Sequence, residues 1–298
     1  MTMVPACILN RESPTGRAVS LALFLLPIVY LADIVSVAVH EILGHGLSAV
    51  LVGGTFSGLI LKWDGMGVAL CDLPVAAPLA HCILFLASGV MAEMVLGVLL
   101  LGFAMLLRGR PDIQLVPLIV AFICVIDGAS YVLWNAYRPV PPGDIGGIVL
   151  LLSAEQLPVA STVRWALLAV GALLFLGATL YFCVSVSARV EALILCDKQF
   201  VGPSRLLALF VFLVLPGSVA WFIFDWDQLA PGIGRLPSII GALSILAVAT
   251  LLFWHRPTLK RECSLRPVTW RHIAGSWICL IATVIAITRW FKDGVMWG

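Results

Sequence analysis

The chain has 298 residues, 61% of them hydrophobic and only 11% charged, with a mean hydropathy of +1.09 and a formal charge of +2. A soluble domain is nearer half apolar and a quarter charged. This composition therefore excludes a water-soluble globule and points to an integral membrane protein that crosses the bilayer several times. The small, dispersed positive charge leaves no footprint for nucleic acid.

In chain order, Arg11 and Arg17 precede an apolar run at 18–32, the layout of a secretory signal. The apolar pattern continues past Asp33 to residue 52 without a cleavage site, so a retained membrane segment is expected. The stretch 18–52 has room for two short helices or one long, bent passage. Further runs lie at 76–107, 113–137, 161–188, 205–224, 237–254 and 272–290, each flanked by charge, Pro or Gly. A spanning helix needs about 20 apolar residues, which gives seven or eight spans. The runs are solidly apolar rather than alternating, so they read as helices and not as barrel strands. The expected fold is an all-α polytopic membrane protein, a single domain over 1–298.

Two stretches break the helical pattern. Residues 53–72 open with Gly53-Gly54 and centre on Asp64-Gly65, a hairpin signal between short apolar runs. Residues 138–147 contain Pro139, Pro141 and Pro142 and exclude regular helix. Irregular backbone at membrane depth is tolerated only inside protein or beside a water-filled cavity, so both breaks mark places for function. Basic loops at 108–110, 189–205 and 256–271 are expected on the cytoplasmic side. Residues 53–75 and 138–160 then share the opposite side. The eight cysteines include no C-x-x-C pair and are read as small hydrophobes, not as a metal or disulfide framework.

Ionisable residues inside a span are costly and usually functional. The densest group is His40, Glu41 and His45 in VAVHEILGHGLSAVLVGG. Two imidazoles and a carboxylate form a natural zinc set, in which the Glu can take a proton from water. The zinc-hydrolase pattern is H-E-x-x-H, whereas this chain has one residue more. In a regular helix, positions five apart diverge by roughly 140°, against roughly 40° for positions four apart. A π-bulge would absorb the extra residue and bring both histidines to one face, and Gly44 and Gly46 ease the distortion. Without it, Glu41 and His45 share a face and His40 turns away. A third ligand is needed, with Asp127, Asp144 and His81 as candidates. Each has a plainer role: a polar pair for Asp127, a helix cap for Asp144, and a hydrogen-bonded helix start for His81.

HEILGHGLSAVLVGG resembles the signature of the site-2-protease-type intramembrane zinc metallopeptidases, roughly H-E-x-G-H-A followed by small residues and Gly-Gly. TFSGLILKWDGMGVAL resembles the short β structure after that family's zinc helix. ASGVMAEMVLG at 87–97 is similar to its A-G-P-x-x-N helix, and WNAYRPVPPGDIGGIVLL at 134–151 to its N-x-x-P-x-P-P-x-D-G-G segment. The resemblance implies zinc ligands His40, His45 and Asp144, with Glu41 as general base and Asn135 beside the active site. Asp127, also followed by Gly, stays as the alternative third ligand. The implied fold carries a membrane-associated β-hairpin after the zinc-motif helix, within a core at 18–152. The implied activity is hydrolysis of peptide bonds in membrane-spanning substrates that unwind and pair with the edge of the hairpin. The sequence departs from the pattern in the longer first motif, in Asp-Ile-Gly-Gly for Asp-Gly-Gly, in Glu93 for Asn and in Val90 for Pro.

The helices of 161–298 match no motif; scaffolding, regulation and docking of a membrane partner are all open to them. Alternatives from other classes are a membrane transporter or channel, a haem-binding electron carrier, and a catalytically inactive binding protein on a protease fold. Broken helices and intramembrane acids also mark transport sites. However, no paired repeat accompanies them here.

Overall fold

The computed structural model describes residues 14–62, 67–107, 111–137, 143–155, 157, 159–194 and 268–296. The expected spans at 205–224 and 237–254, the Asp64-Gly65 turn, Pro139, Pro141, Pro142 and His255 lie outside the described residues. The elements in order are α1 (Pro14–Val39), a π-helical segment (His40–Gly46), α2 (Leu47–Leu51), β1 (Thr55–Leu61), β2 (Gly67–Asp72), α3 (Leu79–Leu106), α4 (Pro111–Tyr137), α5 (Asp144–Ala154), α6 (Val159–Ile194), α7 (Trp270–Ala286), a second π segment (Ile287–Phe291) and β3 (Val295–Met296).

Five helices among the described residues are long and apolar enough to cross a membrane: Val19–Leu51, Leu79–Leu106, Ile113–Tyr137, Val159–Phe182 and Trp270–Phe291. An apolar run in lipid satisfies its backbone only within itself, and a helix does so. The run at 18–52 is one continuous passage, not two short helices, because the π segment joins α1 directly to α2. At 1.5 Å per residue it is about 50 Å long, with His45 roughly 10 Å from its C-terminal end. The α5 helix is too short to span. It follows the proline-rich break and packs inward through Ile145, Ile148 and Leu152 against Val90 of α3 and Val132 and Ala136 of α4.

The α4 helix is the central one. Over half of its apolar window, 56%, is buried inside the protein, against a third or less for the other four. It contacts α1 and α3 through Leu115, Leu118 and Ile119, which pack with Leu21, Leu25 and Ala104. On its other side α6 approaches so closely that a methyl on Gly171 would press on the backbone of Leu133. Arg164 of α6 donates to the carbonyls of Ala136 and Tyr137, which closes the last turn of α4. The outward faces carry large apolar side chains such as Leu99, Phe103 and Leu173, as a lipid-facing surface requires.

The expected two-stranded hairpin is a three-stranded antiparallel sheet of order β2-β1-β3. β1 pairs with β2 from Thr55↔Asp72 to Leu61↔Gly67, with an irregularity between Phe56 and Gly58. On its other side β1 pairs with β3 through Gly58↔Met296 and Leu59↔Val295. The hairpin edge expected to receive another strand is therefore already covered along β1 by the chain's own β3. The outer edge of β2 is the one that faces the polar cluster: the Ala69 N–H there donates to Glu41 Oε2 at 2.7 Å.

The C-terminal span belongs to this same unit. Trp277 Nε1 donates to the Leu23 carbonyl at 3.0 Å, tying α7 to α1. Ile287 joins Tyr30, Ile34, Leu59 and Leu61 in one apolar cluster under the sheet. A side chain on Gly58 would run into the carbonyl of Val295. Gly58→Val should detach β3 and cost about 1–3 kcal/mol through overpacking. Hydrogen exchange should then accelerate at the amides of Gly58, Leu59, Val295 and Met296 while the amides of α3 and α4 stay protected.

Candidate metal centre

The site starts from the extra residue of the first motif. His40–Gly46 is a π-helix, so the added residue is taken up within one wide turn and the flanking helices keep their faces. The two imidazoles then meet, with ring centroids 4.9 Å apart and their Nε2 atoms 3.2 Å apart. A straight α-helix would have turned them away from each other. The wide turn is tolerated because α3 lies against it backbone to backbone. A methyl on Gly44 would collide with Gly89, and one on Gly89 would collide with the His40 ring. Small residues at both points let the helices approach closely.

Asp144 is the first residue of α5, and its carboxylate does not cap that helix. It turns to the histidines instead: Oδ2 lies 3.0 Å from His40 Nε2 and 3.1 Å from His45 Nε2. The three side chains are largely buried. Placement at the first turn of α5 also sets the carboxylate on the favourable end of the helix dipole. The Tyr131 hydroxyl of α4 accepts the Asp144 backbone N–H at 3.3 Å and so holds the start of α5. The Tyr131 ring meets His40 edge-on.

The remaining nitrogen of each imidazole is engaged. His45 Nδ1 lies 2.9 Å from the Phe85 carbonyl, which can only accept, so Nδ1 carries the proton. His40 Nδ1 lies 3.3 Å from Glu93 Oε1, a carboxylate oxygen that also accepts from Ser36 Oγ at 3.3 Å. In its neutral form each imidazole then has its lone pair at Nε2, facing the other ring and a carboxylate oxygen. Three potential ligand atoms thus converge. A tetrahedral ion with bonds of 2.0–2.1 Å would hold its ligand atoms about 3.3–3.4 Å apart. The observed triangle, with edges of 3.0, 3.1 and 3.2 Å, is within a few tenths of an ångström of that. His40, His45 and Asp144 are thus a group that could hold a metal ion. The electrostatics agree: Glu41, Glu93 and Asp144 are carboxylates drawn to one place, and among the described residues none of them pairs with a Lys or Arg.

Each candidate residue can now be placed. Glu41 is buried beside the triad and anchored to β2 through Ala69. Asp127 is in α4, where its carbonyl accepts from Ser130, and it is not in the triad. His81 is in the first turn of α3 and is not in the triad. Asn135 makes no hydrogen bond to the triad among the described residues; Tyr131, one helical turn earlier, is the α4 side chain that reaches the centre. Of the cysteines, Cys71 on β2 lies near Glu41. Burial first, then the negative charges of Glu41 and Asp72, push its thiol up to about 11, and it is not one of the three converging side chains.

Glu93, Ser36, Tyr131 and the Phe85 carbonyl were not among the expected site residues. Three of them left a signal. Glu93 is the one acid within 79–106, and the cost of an acid inside a span applies to it as it does to Glu41. Ser36 lies four residues before His40, and Tyr131 four before Asn135, each on a shared helical face. The Phe85 carbonyl has no counterpart in sequence, since any residue type supplies one.

Deleting Leu43, an exposed residue within the π turn, should convert that turn to ordinary α-helix and leave His40 and His45 on one face. The deletion variant should bind metal like the unaltered chain, whereas inserting an alanine after Leu43 should abolish binding; equilibrium dialysis with zinc reads both. Gly89→Ala should drive the His40 ring from its position and lower metal occupancy in the same assay. No protein-family model matches the chain, and no curated protein or solved structure shows significant similarity to it.

Proposed function

We propose that the chain is an intramembrane zinc metallopeptidase of the site-2-protease type, hydrolysing peptide bonds of membrane-spanning substrates. The observation that carries this reading is the convergence of His40 Nε2, His45 Nε2 and Asp144 Oδ2, each imidazole with its other nitrogen engaged, beside the buried Glu41. Imidazole and carboxylate donors suit zinc. Three protein ligands with a fourth position left open are the pattern of a catalytic site rather than a structural one.

When bound, zinc would supply Lewis-acid polarisation and lower the pKa of a water to about 7. Glu41 is the base. Its Oε2 is held by the Ala69 N–H, which leaves Oε1 to accept the proton as the water oxygen attacks the peptide carbonyl carbon. The C–N bond then breaks, and Glu41 returns the proton to the leaving amine. Beyond Ala69 the outer edge of β2 pairs with no strand among the described residues, so an unwound substrate segment pairing there would bring its backbone near the base. A helical substrate must unwind first, because its carbonyls are hydrogen-bonded along the helix axis. A seven- or eight-span topology, with the two further expected spans at 205–224 and 237–254, completes the proposal.

The test is metal content of the detergent-purified chain followed by cleavage of a single-span peptide in vesicles. About one zinc per chain is expected, lost in His45→Ala and Asp144→Ala and kept in Asp127→Asn. Glu41→Gln should keep its zinc and lose activity by about 10²–10⁴-fold, the range for a general base. Metal-free protein prepared without chelator would overturn the metal reading. Zinc binding with no cleavage by the unaltered chain would leave a binding protein on the same architecture.

A further inference from the structure

Glu93 is the residue in the cluster that the proposed chemistry leaves without a task. It is 5% exposed, in the middle of the span α3. A carboxylate there is expensive to keep charged and persists only with partners. Among the described residues its partners are His40 Nδ1 and the Ser36 hydroxyl, both at 3.3 Å on the same oxygen, Oε1. Ser36 is itself fully buried and sits one turn before His40 on α1. Among the described residues Glu93 therefore receives two donors from the first span and none from a Lys or Arg.

That arrangement does two things to His40. The carboxylate accepts Nδ1–H and so fixes, for the neutral imidazole, the tautomer with its lone pair on Nε2, the atom that faces Asp144 and His45. It also pulls on that proton and makes Nε2 more electron-rich. His45 has a neutral carbonyl in the equivalent place, so the two histidines are not equal. His40 is the one backed by charge, and the Gly89 backbone packed against its ring leaves it no room to turn away. Partners of this kind behind a ligating histidine typically change metal affinity by 10–100-fold.

We infer that Glu93, held by Ser36, is a positioning residue of the metal centre: its carboxylate orients His40 and supplies negative charge that a divalent cation at His40, His45 and Asp144 offsets. This rests on the metal reading proposed above, and goes beyond it in giving the centre a charged support from a second span. Deleting the support leaves all three ligands in the chain, so its loss is graded rather than complete.

The experiment is a zinc competition titration against a chromophoric chelator on the full detergent-solubilised chain, with thermal unfolding of the metal-free forms as the folding control. Glu93→Ala, which removes acceptor and charge, should bind zinc about 10–100-fold more weakly. Glu93→Gln fills the same space and keeps an acceptor oxygen without the charge, so its affinity should fall between Glu93→Ala and the unaltered chain. Ser36→Ala should move it in the same direction by less. Glu93→Gln is the deciding variant where Glu93→Ala does not fold. Zinc affinity in Glu93→Gln equal to that of the unaltered chain overturns this inference and leaves the metal site standing. An unaltered chain that binds no zinc overturns both.

Discussion

Three potential ligand atoms pointed at one spot are the constraint on which this structure turns. Two imidazole nitrogens and a carboxylate oxygen at 3.0–3.2 Å repel one another unless a positive charge, a proton or a metal ion, joins them. Most of the unusual local features serve that meeting. The π turn brings His40 and His45 to one face, the paired glycines 44 and 89 let α3 lie against the turn, and the Tyr131 hydroxyl holds the start of α5 where Asp144 can reach in. Each is a departure from regular, well-filled helix packing, and together they converge on a point less than one helical turn across.

The scaffold behind the site is built so that this point does not drift. The three converging side chains come from two chain segments about 100 residues apart, and α3 and α4 hold both. Phe85 and Glu93 of α3 engage the two imidazole Nδ1 atoms, while α4, the most buried of the described spans, carries Tyr131 and packs beneath α5. Interlocking apolar clusters do the bulk of the packing, and the polar contacts choose the geometry. This division is what a membrane interior favours, where association of helices gains little from hydrophobicity and depends on close packing and hydrogen bonds.

The sheet adds a second layer to the centre. Its β2 strand offers a backbone N–H to Glu41, so the carboxylate beside the triad is oriented by main chain rather than by another side chain. Its other edge is closed by β3, which comes from the far end of the chain and brings α7 with it onto α1. The C-terminal span and the first span therefore share one apolar cluster with β1, and β1, the partner of the strand next to Glu41, is itself paired with residues from β3.

Much of this was legible in the sequence. Solidly apolar runs of some 20 residues dictate helices in lipid, because no other open structure satisfies its backbone there, and the runs ending near 107, 137 and 290 are such helices. The cluster His40-Glu41-x-x-x-His45 was legible as chemistry because ionisable groups at that depth are costly. Its odd spacing was legible as a π turn because only a wider turn puts five-apart residues on one face. What the sequence left open was decided by contacts between distant segments. The resemblance of 134–151 favoured Asp144 over Asp127 without fixing its position; the packing of α5 against α3 and α4 carries Asp144 to the histidines. The backing of His40 by Glu93, of His45 by the Phe85 carbonyl, and of β1 by β3 likewise depends on helix-to-helix distance and strand register. Composition and periodicity specify which face a residue occupies, and tertiary packing alone specifies what stands opposite it.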